Sequence, residues 1–290
     1  MAETISSLLA KSTGYLKEKG STSPRLDAEL LLAEVLGGSR VDLYVNFGQP
    51  LSKGEIDRYR ELIRRRAGGE PVAYILGRAY FHNLTLKVDR NVLVPRPETE
   101  HVVESALKYL MEREWQRPPR MLDAGTGSGA IAISVAAGFP DAEVVASDAS
   151  GDAIRLAEDN ALTAGMGERI CFVRSDLFEG LDPTDTFDLI VSNPPYISDE
   201  EWPGLPRDVR DFEPREALYG GPDGLDFYRR LAVEAPQYLR PRGCLIMEIG
   251  YRQAAAVTGL LGDTGLFEVV QVEKDYSGHD RVVTGCRAEV

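Results

Sequence analysis

Cysteine is scarce. Cys171, Cys244 and Cys286 are the only three in 290 residues, far apart and without a C-x-x-C pair. That pattern predicts neither a disulfide framework nor a zinc cluster, and it fits a reducing compartment such as the cytoplasm. Histidine is as sparse: His82, His101 and His279 are scattered, so a metal-free chemistry is expected. No apolar run reaches the ~18–20 residues a membrane-spanning helix needs. Lys11, Lys17 and Lys19 follow the first apolar residues with no small-residue cleavage site, which argues against a signal peptide. Internal repeats and low-complexity tracts are lacking. What remains is a globular composition, 43% hydrophobic and 27% charged.

Positive charge is also short. The net charge is −13, yet the first 85 residues carry 12 basic and 10 acidic side chains, so the acidity lies in the remainder. An acidic body repels a phosphate backbone, because nucleic-acid binding rests on Lys and Arg displacing counterions. Local spots such as Arg64-Arg65-Arg66 do not reverse this. Direct nucleic-acid binding is therefore not expected.

The hydrophobic periodicity divides the chain. Residues 1–75 read as three helices. The first buries Ile5, Leu8, Leu9, Tyr15 and Leu16. The second is capped by Ser23 with Pro24 in its first turn, buries Leu26, Leu30, Leu31, Val35 and Leu36, and stops at Gly37-Gly38. The third opens with a Ser52/Glu55 capping box, carries Ile56, Tyr59, Leu62 and Ile63, and ends at Gly68-Gly69. Short connections predict a small helical bundle. Residues 76–97 read as a hairpin linker, turning at His82-Asn83. Residues 98–290 open with a helix over 98–111. Strands follow at 121–124, 144–147, 170–173, 189–192, 245–249, 267–272 and 282–285, with helices between most of them. Alternation of this kind predicts an α/β fold with a mainly parallel sheet, and the helix-free last connection predicts an antiparallel end.

Two motifs close strands of that sheet. Asp123-Ala124-Gly125-Thr126-Gly127-Ser128-Gly129 ends the first strand and opens a helix. Its glycines permit a tight turn and close approach of a ligand. The spacing is G-x-G-x-G, not the G-x-G-x-x-G of a dinucleotide reductase. Such a loop suits a ligand with a carboxylate, an amine and a nucleoside, and Asp123 is placed to hold a cationic amine. Asp148, ending the next strand, is placed to accept two ribose hydroxyls, the alternative being an acid at a helix N-terminus. Asp176-Leu177-Phe178 falls where an adenine would lie, with Leu177 or Phe178 covering the ring or serving as core.

The second motif is Asn193-Pro194-Pro195-Tyr196. Its prolines fix the backbone leaving the sheet and remove two N–H donors. The Asn193 side-chain oxygen and the Pro194 carbonyl can each accept one hydrogen of an NH2 group, and Tyr196 offers a planar partner a flat face. This is a clamp for a planar nitrogen. Glu213 and Glu248 receive no catalytic role at this level.

Gly125 through Gly129 together with Asn193 through Tyr196 resemble the class I S-adenosylmethionine-dependent methyltransferases that act on planar nitrogen. Further stretches narrow the likeness: Arg78-Ala79-Tyr80-Phe81, Val94-Pro95-Arg96-Pro97-Glu98-Thr99-Glu100, Phe212-Glu213-Pro214 with Ala217-Leu218, Gly224-Leu225-Asp226, and Glu248-Ile249-Gly250 with Gln253. Together they are similar to the HemK/PrmC group, protein-(glutamine-N(5)) methyltransferases that modify the Gly-Gly-Gln loop of peptide-chain release factors and so modulate translation termination. The likeness spans essentially the whole chain. It implies a Rossmann-like seven-stranded sheet, an N-terminal lobe that contacts the release factor, and S-adenosylmethionine as cofactor with S-adenosylhomocysteine as product. Cofactor contacts are implied at Asp123, Gly125, Thr126, Gly127, Ser128, Gly129, Asp148, Asp176, Leu177 and Asn193. Substrate glutamine is implied at Asn193, Pro194, Pro195 and Tyr196, of which Asn193, Pro194 and Tyr196 are the catalytic set. Leu177 departs from the pattern, standing where members often have an aromatic. A cytoplasmic monomer is expected.

Rival readings are a glutamine methyltransferase of a ribosomal protein, an adenine-amine methyltransferase of nucleic acid, and a non-catalytic S-adenosylmethionine-binding adaptor. The acidic body weighs against the second. The intact Asn193–Tyr196 motif weighs against the third.

Overall fold

The computed structural model describes residues 3–289. Residues up to Arg78, with Pro206–Phe212, make one compact unit; Ala79–Leu205, with the residues from Glu213 onward, make another.

The first unit is helical: α1 (Ile5–Glu18), α2 (Pro24–Leu36), α3 (Arg40–Val45), α4 (Lys53–Ala67) and α5 (Val72–Leu76). Capping boxes start α1 at Thr4/Ser7, α3 at Ser39/Asp42 and α4 at Ser52/Glu55, each satisfying helix-end N–H groups that would otherwise lack partners. Gly37 ends α2 in the left-handed conformation. Ile5, Leu9, Leu16, Leu31, Leu32, Leu43 and Tyr59 fill the core. The periodicity misplaced two residues: Tyr15 and Leu26 are each 40% exposed. In α2 the buried face instead runs through Ala28, Leu31 and Leu32. The sequence reading also gave three helices where five form, because α3 and α5 are only six and five residues long and too short for a periodic signal. Buried Arg66 explains why Pro206–Phe212 joins this unit. Its guanidinium pairs with Asp27 at 2.7 Å and with Asp208 at 3.1 Å, on α9 (Arg207–Arg210).

The second unit opens within a hairpin, β1 (Arg78–Phe81) and β2 (Leu84–Lys87), followed by a 3-10 turn at Pro97–Thr99 and α6 (Glu100–Met111). The hairpin, expected as a linker, buries Phe81 and Leu86 in the larger core. The sheet and its helices then alternate: β3 (Arg120–Ala124), α7 (Ala130–Gly138), β4 (Glu143–Asp148), α8 (Gly151–Thr163), β5 (Ile170–Arg174), β6 (Phe187–Ser192), α10 (Asp226–Tyr238), β7 (Leu239–Glu248), α11 (Ala254–Asp263), β8 (Phe267–Lys274) and β9 (Asp280–Arg287). Seven strands lie in the order β5-β4-β3-β6-β7-β9-β8. Pairing is parallel up to β7 and antiparallel at β7–β9 and β8–β9, as the missing last helix predicts. One face is filled by residues such as Val102, Ile133 and Val144, the other by Tyr228, Leu231 and Val257.

Two features of the sheet matter for function. Strand order reverses at β3, which has β4 on one side and β6 on the other, and ligands of open α/β sheets sit outside the strand carboxyl ends at such a point. The register aligns Ala124 with Ser147 and Asp123 with Val191, so the residues following β3, β4 and β6 emerge side by side.

One expectation about cysteine is overturned. Cys244 and Cys286 sit directly opposite each other on β7 and β9, with Cα atoms 4.0 Å apart, and form a disulfide. A separation of 42 residues hid the pair, since only the antiparallel register brings them together. The reducing-compartment argument therefore loses the support it drew from these two residues. Cys171 is free and exposed.

Candidate active site

A cleft of about 760 Å³ opens at the carboxyl ends of β3, β4 and β6. Gly125, Thr126, Gly127, Ser128, Asp148, Asp176, Leu177, Asn193, Pro194 and Pro195 line it, which unites most of the residues singled out by sequence. A recess of about 40 Å³ shares Asn193 and Pro194 with the cleft and is completed by residues including Tyr196, Arg96, Leu218 and Glu248.

The glycine loop is held by its own backbone. The Gly125 and Thr126 N–H groups both donate to Ser147 O at 2.8 Å, and Gly129 N–H donates to Thr126 O at 2.9 Å. Asp148 binds the loop from outside: Oδ2 accepts the Gly127 N–H and Oδ1 the Ser150 N–H, each at 2.9 Å. Burial raises the Asp148 pKa from its ordinary value, against the pull of those two N–H groups. Gly127 has φ 55°, and a Cβ built there would meet no atom within 4 Å. Beside a cleft, that openness leaves the loop backbone accessible to a ligand.

Three expected cofactor residues also make contacts within the protein itself. Asp123 is fully buried beneath the loop, and its Oδ2 accepts the Thr126 hydroxyl at 2.7 Å and the Ala132 N–H at 3.1 Å. Burial lifts its pKa to about 7, and through these two bonds it fastens the loop to α7. Gly129 packs inward, where a Cβ would lie 3.0 Å from Ile133 and 3.2 Å from Ala157. Asp176 lines the cleft, but its Oδ1 is paired with Arg230 at 2.8 Å.

Leu177 and Phe178 differ in their surroundings. Leu177 lines the cleft with φ 50°, a left-handed conformation held in part by the Ser175 hydroxyl donating to its carbonyl at 2.9 Å. Phe178 is 2% exposed and stacks on Tyr238 with ring centroids 4.8 Å apart. It is core.

After β6 the chain is fixed at several points. Ser192 donates its hydroxyl to Ala124 O at 2.6 Å, joining the two motif-bearing strands. The Tyr196 N–H donates to Leu218 O, and Tyr196 O accepts Gln253 Nε2, both at 3.1 Å. Among the described residues none donates to the Pro194 carbonyl. Asn193 Nδ2 donates to Thr99 Oγ1 at 3.0 Å, which among the described residues leaves Asn193 Oδ1 as the uncommitted acceptor. Tyr196 faces the recess rather than the cleft. Burial and the neighbouring Glu248 keep its phenol protonated.

Sequence reasoning missed the wall opposite. Arg90, Asn91, Leu93, Arg96 and Thr99 line the cleft from the segment before α6. Glu213 pins that segment, accepting the Val94 N–H at 3.2 Å and pairing with Arg96 at 2.5 Å. Glu248, given no role from sequence, accepts the Thr99 hydroxyl at 2.6 Å. The available signal was Pro-Arg-Pro-Glu-Thr-Glu itself, a stiff polar run between a hairpin and a helix.

Comparison with known proteins agrees with this geometry. Residues 7–77 match the PrmC N-terminal domain, and residues 102–203 match the methyltransferase small domain. Proteins called release factor glutamine methyltransferase from Rhodopirellula baltica and Geobacter sulfurreducens are 43% and 45% identical over 282 residues. Those alignments cover 97% of this chain and 95% and 96% of the relatives. A solved methyltransferase from Pyrococcus furiosus superposes with a TM-score of 0.52 at 18% identity, covering 80% of this chain and 98% of that one, a likeness of fold. Fold, site and full-length similarity converge: the chain belongs to the release factor glutamine methyltransferase family.

Proposed function

We propose that this enzyme transfers a methyl group from S-adenosylmethionine to the side-chain amide nitrogen of the glutamine in the Gly-Gly-Gln motif of peptide-chain release factors. The observation that carries the proposal is the pair of uncommitted acceptors, Asn193 Oδ1 and the Pro194 carbonyl, at the junction of cleft and recess. Two acceptors suit the two hydrogens of a carboxamide NH2. Full-length similarity to relatives named for this activity favours it over ribosomal-protein glutamine and over adenine in nucleic acid.

The cleft fits the cofactor. Its glycine loop exposes backbone at Gly127, and Asp148 presents a tethered carboxylate suited to ribose hydroxyls. Thr126, Ser128, Leu177 and Asn193 complete the proposed contacts, with Asp123 and Gly129 supporting the loop from beneath. S-adenosylmethionine supplies, when bound, a methyl carbon activated by its sulfonium.

An amide nitrogen is a poor nucleophile because its lone pair is delocalised. By accepting both N–H bonds, Asn193 and Pro194 favour the pyramidal nitrogen and hold it in one orientation, so the rate gain comes from alignment and preorganised electrostatics. These oxygens also stabilise the positive charge that develops on nitrogen. A strong base is unnecessary, since the nitrogen becomes acidic only after it is alkylated and then gives up its proton to water.

The proposal extends to the helical N-terminal residues 1–75 as the recognition domain for the release factor, and to a cytoplasmic monomer. No described helix is long and apolar enough to cross a membrane. Incubation with radiolabelled cofactor and, in separate tubes, intact release factor, ribosomal proteins or RNA tests the reading. Label entering release factor alone is expected; label entering RNA or ribosomal protein instead contradicts it.

A further inference from the structure

Glu248 lies at the carboxyl end of β7, 1% exposed, and lines the recess beside Asn193. Its Oε2 accepts the Thr99 hydroxyl, and Thr99 Oγ1 accepts Asn193 Nδ2. A hydroxyl has one proton. Given to Glu248, that proton leaves Thr99 only lone pairs to offer Asn193, so the Asn193 amide must turn its NH2 toward Thr99 and its oxygen away.

We propose that Glu248 is a positioning residue: through Thr99 it fixes the amide orientation of Asn193 and thereby makes Asn193 an acceptor for the substrate nitrogen. The inference rests on the carboxamide reading above and adds to it the group that selects one of two amide orientations.

The relay has a sign. With Glu248 ionised, hydrogen bonds run from Asn193 to Thr99 to Glu248. With Glu248 protonated, its own proton can satisfy Thr99, the Thr99 proton turns toward Asn193, and the reversed amide sets its NH2 against the NH2 of the substrate. Two donors then face each other. The ionised form is the competent one.

Several charged or titratable groups surround this carboxyl: Arg281 from β9, Arg96 and Glu98 from the segment before α6, Tyr196 after β6, and Tyr228 from α10. Tyr228 donates its hydroxyl to the Glu248 main-chain carbonyl at 3.0 Å. Both nearby arginines are paired elsewhere, Arg281 with Asp275 at 3.2 Å and Arg96 with Glu213 at 2.5 Å. Burial therefore outweighs them, and the Glu248 pKa is pushed up to about 7.

The test measures kcat for methylation of intact release factor at saturating cofactor and release factor, from about pH 6 to about pH 8.5 around the Glu248 midpoint. Cofactor affinity is followed by calorimetry in parallel. Wild-type kcat is expected to rise through a midpoint near pH 7, matching the raised Glu248 pKa. Glu248→Gln and the isosteric Thr99→Val are expected to lose ~10–100-fold in kcat and the pH step, with cofactor affinity held within a few-fold. Thr99→Ser, which keeps the hydroxyl, is expected to recover most of the rate and the step. Wild-type kcat with an unchanged pH step in either Glu248→Gln or Thr99→Val overturns the positioning role while leaving the carboxamide reading intact. Absence of methylation by the wild-type enzyme at every pH overturns that reading and this inference with it.

Discussion

The Gly127 N–H donates to Asp148 Oδ2 at 2.9 Å, tying the glycine loop to the carboxylate that ends the next strand. One contact thus couples the shape of the loop to the residue proposed to hold the ribose. Asp148→Ala is expected to lower cofactor affinity by ~1–3 kcal/mol, the cost of leaving hydrogen bonds to the ribose and to the loop unmade. Isothermal calorimetry gives the answer directly, and an unchanged Kd would remove Asp148 from the site.

Gly129 answers to packing. It sits at φ +83° with Ile133 and Ala157 close to where a Cβ would stand. Gly129→Ala is expected to cost roughly 1–3 kcal/mol of stability from the left-handed backbone and crowding together. Urea unfolding measures it, and a variant as stable as the wild type contradicts the packing argument.

Asp123 gives the apo-protein a pH dependence of stability. Its carboxyl is raised from 3.8 to about 7 by burial, so the folded state favours the neutral form. The contribution is full below the unfolded value and is lost as pH rises through about 7. Asp123→Asn stays neutral and should therefore gain in Tm relative to the wild type between pH 3.8 and about pH 7, the window between the two values, and hold a constant advantage above it. A Tm difference that stays constant across the window would show that Asp123 does not titrate there.

Much of this fold is legible in the sequence because long elements carry long signals. The strand pattern from 121 to 285 and the glycine and Asn-Pro-Pro-Tyr loops locate the cleft before any coordinates do, since a turn after a parallel strand must lie at its carboxyl end. Other features depend on tertiary register. The Cys244–Cys286 bridge and the Thr99–Glu248 bond join positions 42 and 149 residues apart, and no local pattern announces such pairings. Asp123 and Tyr196 show a related limit. Motif membership brought both near the ligand, but whether a side chain faces the cleft, the recess or the core is decided by packing.

The Cys244–Cys286 disulfide closes a loop of 42 residues between paired strands. Cys286→Ser is expected to lose ~2–4 kcal/mol of stability under non-reducing conditions and to match the wild type once reductant is added. Denaturant titration with and without reductant decides the matter; a wild-type curve insensitive to reductant would show that the bridge contributes nothing.

The central claim is that Asn193 and the Pro194 carbonyl grip a glutamine amide. Its most direct test is mass spectrometry of intact release factor after incubation with S-adenosylmethionine and either wild-type enzyme or Asn193→Ala, with cofactor binding measured on both. The account predicts one added methyl group on the glutamine of Gly-Gly-Gln with the wild type. With Asn193→Ala it predicts a rate lower by about two to three orders of magnitude and cofactor affinity within a few-fold. Near-wild-type turnover by Asn193→Ala, or a methyl group found on any other residue, would contradict it.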